Sequence, residues 1–229
     1  YSFKNPKAYI DSNVIGFYNL LECCKQSKIK KLLFASSSSV YGESNKFPLK
    51  ENFSTDQTNS LYGSTKKINE VMAATYSSLY KFNCIGLRFF TVYGPYGRPD
   101  MSLYKFVKSI TKGKKVQLFN HGNHVRDFTY IDDVIESISR LIRYKIKKSD
   151  ELFEIFNIGS NNPKTLLEYV QTIEKLLKKK ANIEKKPFQK GDILKTHASV
   201  NKLYKKINYK PSTKMVVGIQ SYIDWYKSY

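Results

Sequence analysis

Three short apolar runs limit the folds open to this chain: "KLLFAS" (31–36), "CIGLRFFTV" (84–92) and "FEIFNI" (153–158). Most of their sequence is continuous apolar run rather than a strict alternation of apolar and polar residues. Such strands are buried on both faces, which is the habit of parallel strands covered by helices. Between them run segments with helical period. Residues 13–26 place Val14, Phe17, Leu21 and Cys24 on one face, with Ser12 or Asn13 as the N-cap. Residues 62–80 place Ile68, Val71, Met72, Thr75 and Leu79 on one stripe. Further helices are expected over 102–112, 132–145 and 213–228, and another runs from the Thr165/Glu168 capping box to residue 178; a strand is expected near 116–119. Strands alternating with helices predict an α/β chain built on a doubly wound parallel sheet. Ligands of such sheets sit beyond the carboxyl ends of the strands. "SSSS" closes the first apolar run and "TVYGP" the second, so both lie where a site is expected.

The three cysteines, Cys23, Cys24 and Cys84, make no disulfide framework, since two are sequence neighbours on a predicted helix. No His/Cys cluster has zinc spacing, so no metal is expected, and His121 and His124 read as exposed loop histidines. A reducing, cytoplasmic setting follows from this cysteine usage. No apolar run reaches membrane-span length, so the segment is not expected to enter a membrane. The formal charge of +20 raises the possibility of a polyanion partner. The basic residues are nearly all lysines scattered along the chain, however, with no arginine-rich, aromatic-interleaved arm, and they read as solvated surface. Nucleic acid is not the expected partner.

"SLYGSTKKINEVM" (60–72) sets Tyr62 four residues ahead of Lys66. Tyr104/Lys108 and Tyr144/Lys148 share that spacing, and 18 tyrosines among so many lysines yield about three such pairs by accident. Context separates them. Only Tyr62/Lys66 opens a helix between two buried strands, the first of which ends in a hydroxyl cluster. Residues i and i+4 share a helical face, so Lys66 can hold its ammonium near the Tyr62 hydroxyl. A phenol ordinarily ionises near pH ~10 and is a weak base at neutrality. A neighbouring cation favours the phenolate, and a serine hydroxyl can bond the same substrate oxygen. Such a trio can move a proton to or from a sugar hydroxyl.

"KLLFASSSSVYG", "SLYGSTKKINEVMAATYS", "LRFFTVYGPYGRPDMSLYKF", "RDFTYIDDV" and "NIGSNNPKTLLEYV" together resemble the extended short-chain dehydrogenase/reductase family. Within it the chain is similar to the nucleotide-sugar epimerases, most closely the UDP-glucuronate 4-epimerases. The resemblance runs from Tyr1 to Tyr229, with the motifs in the family's order. It implies NAD as cofactor, a UDP-sugar as substrate and inversion at C4 through a transient 4-keto sugar. It also implies a homodimer paired through the helices at 13–26 and 62–80. UDP-glucose and UDP-N-acetylhexosamine 4-epimerases are the neighbouring alternatives, and a non-catalytic basic binding module on the same fold is a third.

The resemblance assigns roles residue by residue. Ser37 corresponds to the catalytic serine, Tyr62 to the general base, and Lys66 to its partner, which also binds the nicotinamide ribose. Phe90 and Ser12 correspond to positions beside the cofactor. Ser37, Ser38 and Ser39 fall at the sugar. Thr91 and Arg98 correspond to residues holding the sugar carboxylate, which suits the planar donor fork of arginine. Arg126 corresponds to the arginine on the nucleotide pyrophosphate, its alternative being an ion pair with Asp127 or Asp132. Asp192 corresponds to a residue near the uridine ribose. Sugar dehydratases and decarboxylases of the family need a carboxyl group after the catalytic hydroxyl, whereas this chain has Ser38 and Ser39 there.

There are departures. No G-x-x-G-x-x-G fingerprint occurs, and the expectation is a Rossmann-type sheet lacking its first βαβ units, roughly 80–90 residues. Residues 1–92 are expected to form the later part of the cofactor domain. Residues 93–229 are expected to be mainly a smaller α/β substrate domain, with 120–160 returning to the first sheet. Ala198-Ser199 replaces the family's Ala-Asp, and Tyr96 replaces a frequent Trp.

Overall fold

The three apolar runs meet in one parallel sheet. A computed structural model describes residues 2–188 and 192–228. Helix α1 (Pro6–Tyr9) continues through a π-helical stretch (Ile10–Ile15) into α2 (Gly16–Gln26). Strand β1 (Lys31–Ser37) ends in a 3-10 turn (Ser38–Tyr41), and α3 (Leu61–Tyr80) leads to β2 (Asn83–Phe89) and β3 (Thr91–Tyr93). Then come α4 (Ser102–Thr111), β4 (Lys115–Leu118), β5 (Val125–Arg126), β6 (Phe128–Tyr130) and α5 (Ile131–Arg143). The chain closes with β7 (Phe153–Ile158), β8 (Lys164–Thr165), α6 (Leu166–Leu177), β9 (Asn182–Lys185), α7 (Asn201–Ile207) and α8 (Met215–Ser228).

The main sheet has the order β1-β2-β7, all parallel, with Leu33 opposite Ile85 and Gly86 opposite Ile155. Helices cover both faces, as the continuous apolar runs require. On one face Leu21 and Cys24 of α2 and Ala73 of α3 pack on Phe34 and Cys84. On the other, Val134 and Leu141 of α5 and Leu203 of α7 pack on Ile85, Leu87 and Phe156. Gly86 lets the α2/α3 face close: a Cβ there would lie 2.5 Å from Ile155 Cδ1 and 2.8 Å from Phe34 Cζ. A separate core joins α4, α6 and α8 through Phe106, Tyr169, Ile173, Ile219 and Ile223. Two-stranded pairings β3-β6, β4-β9 and β5-β8 border it.

Three local expectations change. The first helix is capped by Asn5, whose side chain accepts from Ala8 N at 3.2 Å, and neither Ser12 nor Asn13 caps it. Pro6 at the first helical position is the start signal, since it has no N–H to leave unpaired. The run 84–92 splits at Phe90, whose N–H still bonds Ile158 O, whereas Thr91 N bonds Asp127 O and enters the β3-β6 pair. One strand thus becomes two because its successive residues find different partners.

The third change concerns α3. Its apolar stripe faces outward, with Ile68, Val71 and Leu79 exposed, and its buried face is Gly63, Thr65, Asn69, Glu70, Ala73 and Ser77. The inner face meets a polar network. Glu70 Oε1 accepts from Ser36 Oγ at 2.6 Å and from Arg88 Nε at 2.9 Å, and Glu70 Oε2 accepts from Arg88 Nη2 at 2.8 Å. Both charged residues are 3% exposed. Burial works against the Arg88 charge, and the Glu70 carboxylate more than offsets it, so Arg88 stays cationic. Removing one partner of a buried pair costs about 3–5 kcal/mol, while replacing both by apolar residues is far milder. Glu70→Ala should therefore lower the unfolding free energy in a urea titration by about that amount, and Glu70→Leu with Arg88→Met should recover most of it.

Candidate active site

Helix α3 begins at Leu61 because Ser60 caps it: Ser60 Oγ accepts from Gly63 N at 3.1 Å. Gly63 also sets the approach of the serine turn. A Cβ there would lie 2.7 Å from Ser39 O, so glycine alone lets the turn 38–41 rest against the helix turn that carries Tyr62. Ser37 caps the serine turn, its Oγ accepting from Ser39 N at 3.2 Å and donating to Ser39 Oγ at 3.1 Å.

Tyr62 stands in the first turn of α3 with Lys66 one turn on. Lys66 Nζ lies 6.0 Å from the Tyr62 ring centroid and donates to Ala35 O at 3.1 Å. Burial pulls the Lys66 ammonium below its ordinary value. Its bond goes to a carbonyl, and among the described residues no carboxylate forms an ion pair with it. Tyr9 packs edge-on against Tyr62, with centroids 6.1 Å apart.

Tyr62 and Lys66 line a cleft of about 730 Å³. Phe90, Thr91 and Arg98 line it too, so the structure brings five of the sequence-derived candidates together. The far wall is the start of α4 with Tyr222 of α8. Arg98 is 72% exposed and paired with Asp100, Nε–Oδ1 3.0 Å and Nη2–Oδ2 2.8 Å. The Asp100 hydrogen bonds raise the Arg98 proton affinity, against a smaller effect of burial.

The remaining candidates lie elsewhere. Ser12 is exposed on the π-helical stretch and does not line the cleft; its neighbour Asn13 does, with Asn13 Nδ2 donating to Thr65 Oγ1 at 3.0 Å. Ser37, Ser38 and Ser39 sit at the base of the Tyr62 turn and not among the lining residues. Arg126 and Asp192 form a pair of their own, Nη2–Oδ1 2.8 Å, with the Arg126 side chain only 15% exposed. Neither alternative partner of Arg126 is used. Asp127 instead accepts from Ser160 N, Ser160 Oγ, Asn161 N and Ala198 N. That ties the segment around Ala198 to the strand junction beside Arg126.

Sequence reasoning passed over Tyr9 and Tyr222 as lining residues, and no spacing marks either. It also placed His124 in an exposed loop. His124 has no exposed surface, because Phe188 and the segment at Asp192 close over it. The signal that could have found it is its position two residues ahead of Arg126, just before β5, since alternate residues of extended chain share a side.

Comparison with known proteins gives four matches. The profile described as the NAD dependent epimerase/dehydratase family matches residues 1–159. Protein CapI of Staphylococcus aureus is 45% identical over 242 residues, spanning 100% of this chain and 72% of that protein. A probable UDP-glucuronate 4-epimerase of Rhizobium meliloti is 41% identical over 240 residues, spanning 99% of this chain and 70% of that one. Among solved structures, UDP-glucuronic acid 4-epimerase from Bacillus cereus, in complex with UDP-glucuronic acid and NAD, superposes with a TM-score of 0.90 at 30% identity. That superposition covers 98% of this chain and 70% of that one.

Proposed function

Since the chain belongs to the NAD dependent epimerase/dehydratase family, we propose that it is an NAD-dependent isomerase that inverts C4 of a UDP-sugar, with UDP-glucuronate as substrate. The observation that carries this reading is the gathering of Tyr62, Lys66, Thr91 and Arg98 around one cleft.

The residues fit the nicotinamide-ribose end of NAD. Lys66 has donors left after its bond to Ala35, and Phe90 supplies an apolar wall beside it. When bound there, NAD supplies the hydride acceptor and donor for C4. Tyr62 takes the proton from the C4 hydroxyl and returns it after the ketone has turned its other face. Lys66 favours the ionised Tyr62 through its charge. Ser37, at the end of β1 and outside the cleft lining in this structure, is the hydroxyl that the family resemblance assigns to the substrate oxygen. Ser38 and Ser39 carry no carboxyl group, so the proton transfer at C5 that dehydration requires has no agent here.

Thr91 and Arg98 select the sugar by its carboxylate. Arg98 reaches it by leaving Asp100, an exposed pair worth at most about 1 kcal/mol. Arg126 holds the diphosphate and Asp192 the ribose. In this reading the sheet-bearing part of the chain seats the cofactor, and the core of α4, α6 and α8 seats the nucleotide sugar.

Tyr62→Phe should cut epimerisation by a factor on the order of 10²–10⁴ while the far-ultraviolet circular dichroism stays unchanged. Full activity in that variant would remove Tyr62 as the base. Arg98→Lys replaces a fork by a point charge. The kcat/KM preference for UDP-glucuronate over UDP-glucose should fall about tenfold, the loss of one bidentate contact. An unchanged preference would leave the sugar to the UDP-glucose or UDP-N-acetylhexosamine alternatives.

The same reading has a second copy of the chain covering the outward face of α2 and α3, where Tyr18, Leu20, Val71 and Leu79 are exposed. Val71→Lys with Leu79→Lys should then shift sedimentation-equilibrium mass from dimer to monomer, whereas a monomeric parent protein would contradict the pairing.

A further inference from the structure

One fully buried titratable side chain has no part in the reading above. The His124 ring lies 5.6 Å from the Phe188 ring, tilted at 44°. Its Nε2 is 3.4 Å from Asp192 Oδ2, and neither ring nitrogen makes a hydrogen bond to any of the described residues. The ring faces two acceptors, the Asp192 carboxylate and the backbone carbonyl of Phe119. A neutral imidazole has one N–H and serves only one of them, whereas an imidazolium serves both.

The other oxygen of Asp192 is already engaged. Oδ1 accepts from Arg126 Nη2 at 2.8 Å and from Ile193 N at 2.9 Å, which leaves Oδ2 to the histidine. Among the described residues, the charged groups facing His124 are Asp192 and, from β5, Arg126. The turn at Phe119 contributes a carbonyl, Phe188 a ring, and α6 only the Leu166 N–H that bonds the His124 carbonyl. Burial first, and Arg126 after it, work against a proton on the ring; Asp192 and the Phe119 carbonyl favour one; the balance lowers the His124 pKa. An anion bound by Arg126 would cancel the guanidinium's share of that opposition.

We infer that His124 is a proton-linked positioning residue: a diphosphate bound at Arg126 brings a proton onto His124, and the imidazolium then holds Asp192 while the guanidinium turns to the ligand. The inference rests on the assignment of Arg126 to the nucleotide diphosphate. The proton comes from solvent and no covalent bond changes. Its pH dependence has a fixed sign. The histidine binds its proton more tightly in the complex than in the free protein, so affinity rises as pH falls between those two values. Above the complex's value the ring is neutral in both states, and below the free protein's value it is charged in both; in neither range does pH matter through this group.

The probe is UDP-glucose, whose diphosphate diester holds its charge over the range titrated. Calorimetric titration of the protein from about pH 8 to about pH 6, in two buffers of different ionisation enthalpy, reads affinity and proton uptake together. The Kd should fall toward acid, by no more than tenfold per pH unit for one proton, with net uptake by the protein. His124→Met and His124→Gln should lose both the proton uptake and the pH dependence of UDP-glucose affinity. Uptake that persists in both variants would overturn the proposal. With only 3 histidines, the ring C–H resonance of His124 in the unmodified protein supplies a second measurement. A titration midpoint that saturating UDP-glucose leaves in place would overturn it as well. No binding heat for the parent protein at any pH would instead strike the diphosphate assignment itself, and this inference with it.

Discussion

The triangle of Ser36, Glu70 and Arg88 is the interaction on which the placement of everything else depends. Ser36 and Arg88 are register partners across β1 and β2, so their side chains leave the same face of the sheet side by side. Glu70 closes the triangle from α3, with both carboxylate oxygens occupied. An ion pair this deeply buried adds little net stability, because desolvation offsets the attraction. What it supplies is geometry. It fixes the rotation of α3 about its axis, and Lys66 and Tyr62 lie four and eight residues back along the same face. With Glu70 held to the sheet, Lys66 reaches the end of β1 at Ala35, and Tyr62 reaches the cleft beyond it.

That triangle also explains which parts of the fold the sequence could show. The three strands of the main sheet were legible because their sequences are largely apolar, although Ala35 of β1 is exposed, and the Thr165/Glu168 capping box marked α6 within a residue. The N-terminal boundary of the first helix was not, because the reading followed apolar period and gave Asn5-Pro6 no weight. The short strands β5, β6, β8 and β9 have two to four residues each, too few for any period to register. In α3 the apolar stripe was read correctly as a stripe, yet hydropathy does not say which side a core lies on. A helix anchored to its sheet by a carboxylate and an arginine turns its polar face inward and leaves Val71 and Leu79 outside.

The candidate site was legible in a similar, uneven way. Tyr62 and Lys66 gained meaning from the strands around them, and that context survives in the fold. Thr91 reaches the same cleft from β3 itself and Arg98 from the loop after it. Residues that act by packing escaped notice. Tyr222 comes to the cleft wall from the far end of the chain, and His124 is buried by residues some 60 positions later, which no local pattern can announce.

The two arginines proposed for anions share a design with unequal consequences. Each is held by an aspartate, Asp100 for Arg98 and Asp192 for Arg126, so each guanidinium is ordered before any ligand arrives. Arg98 is largely in water, where exchanging one carboxylate for another is nearly neutral and the pair only fixes the direction of approach. Arg126 is mostly buried, and a guanidinium leaving Asp192 would strand a carboxylate that is only 37% exposed. Such a move needs a replacement cation behind the aspartate, and among the described residues the group in contact with Asp192 that can become cationic is His124. A buried histidine facing two acceptors would be a defect in an inert scaffold. Behind an aspartate proposed to release an arginine, it would supply the counter-charge.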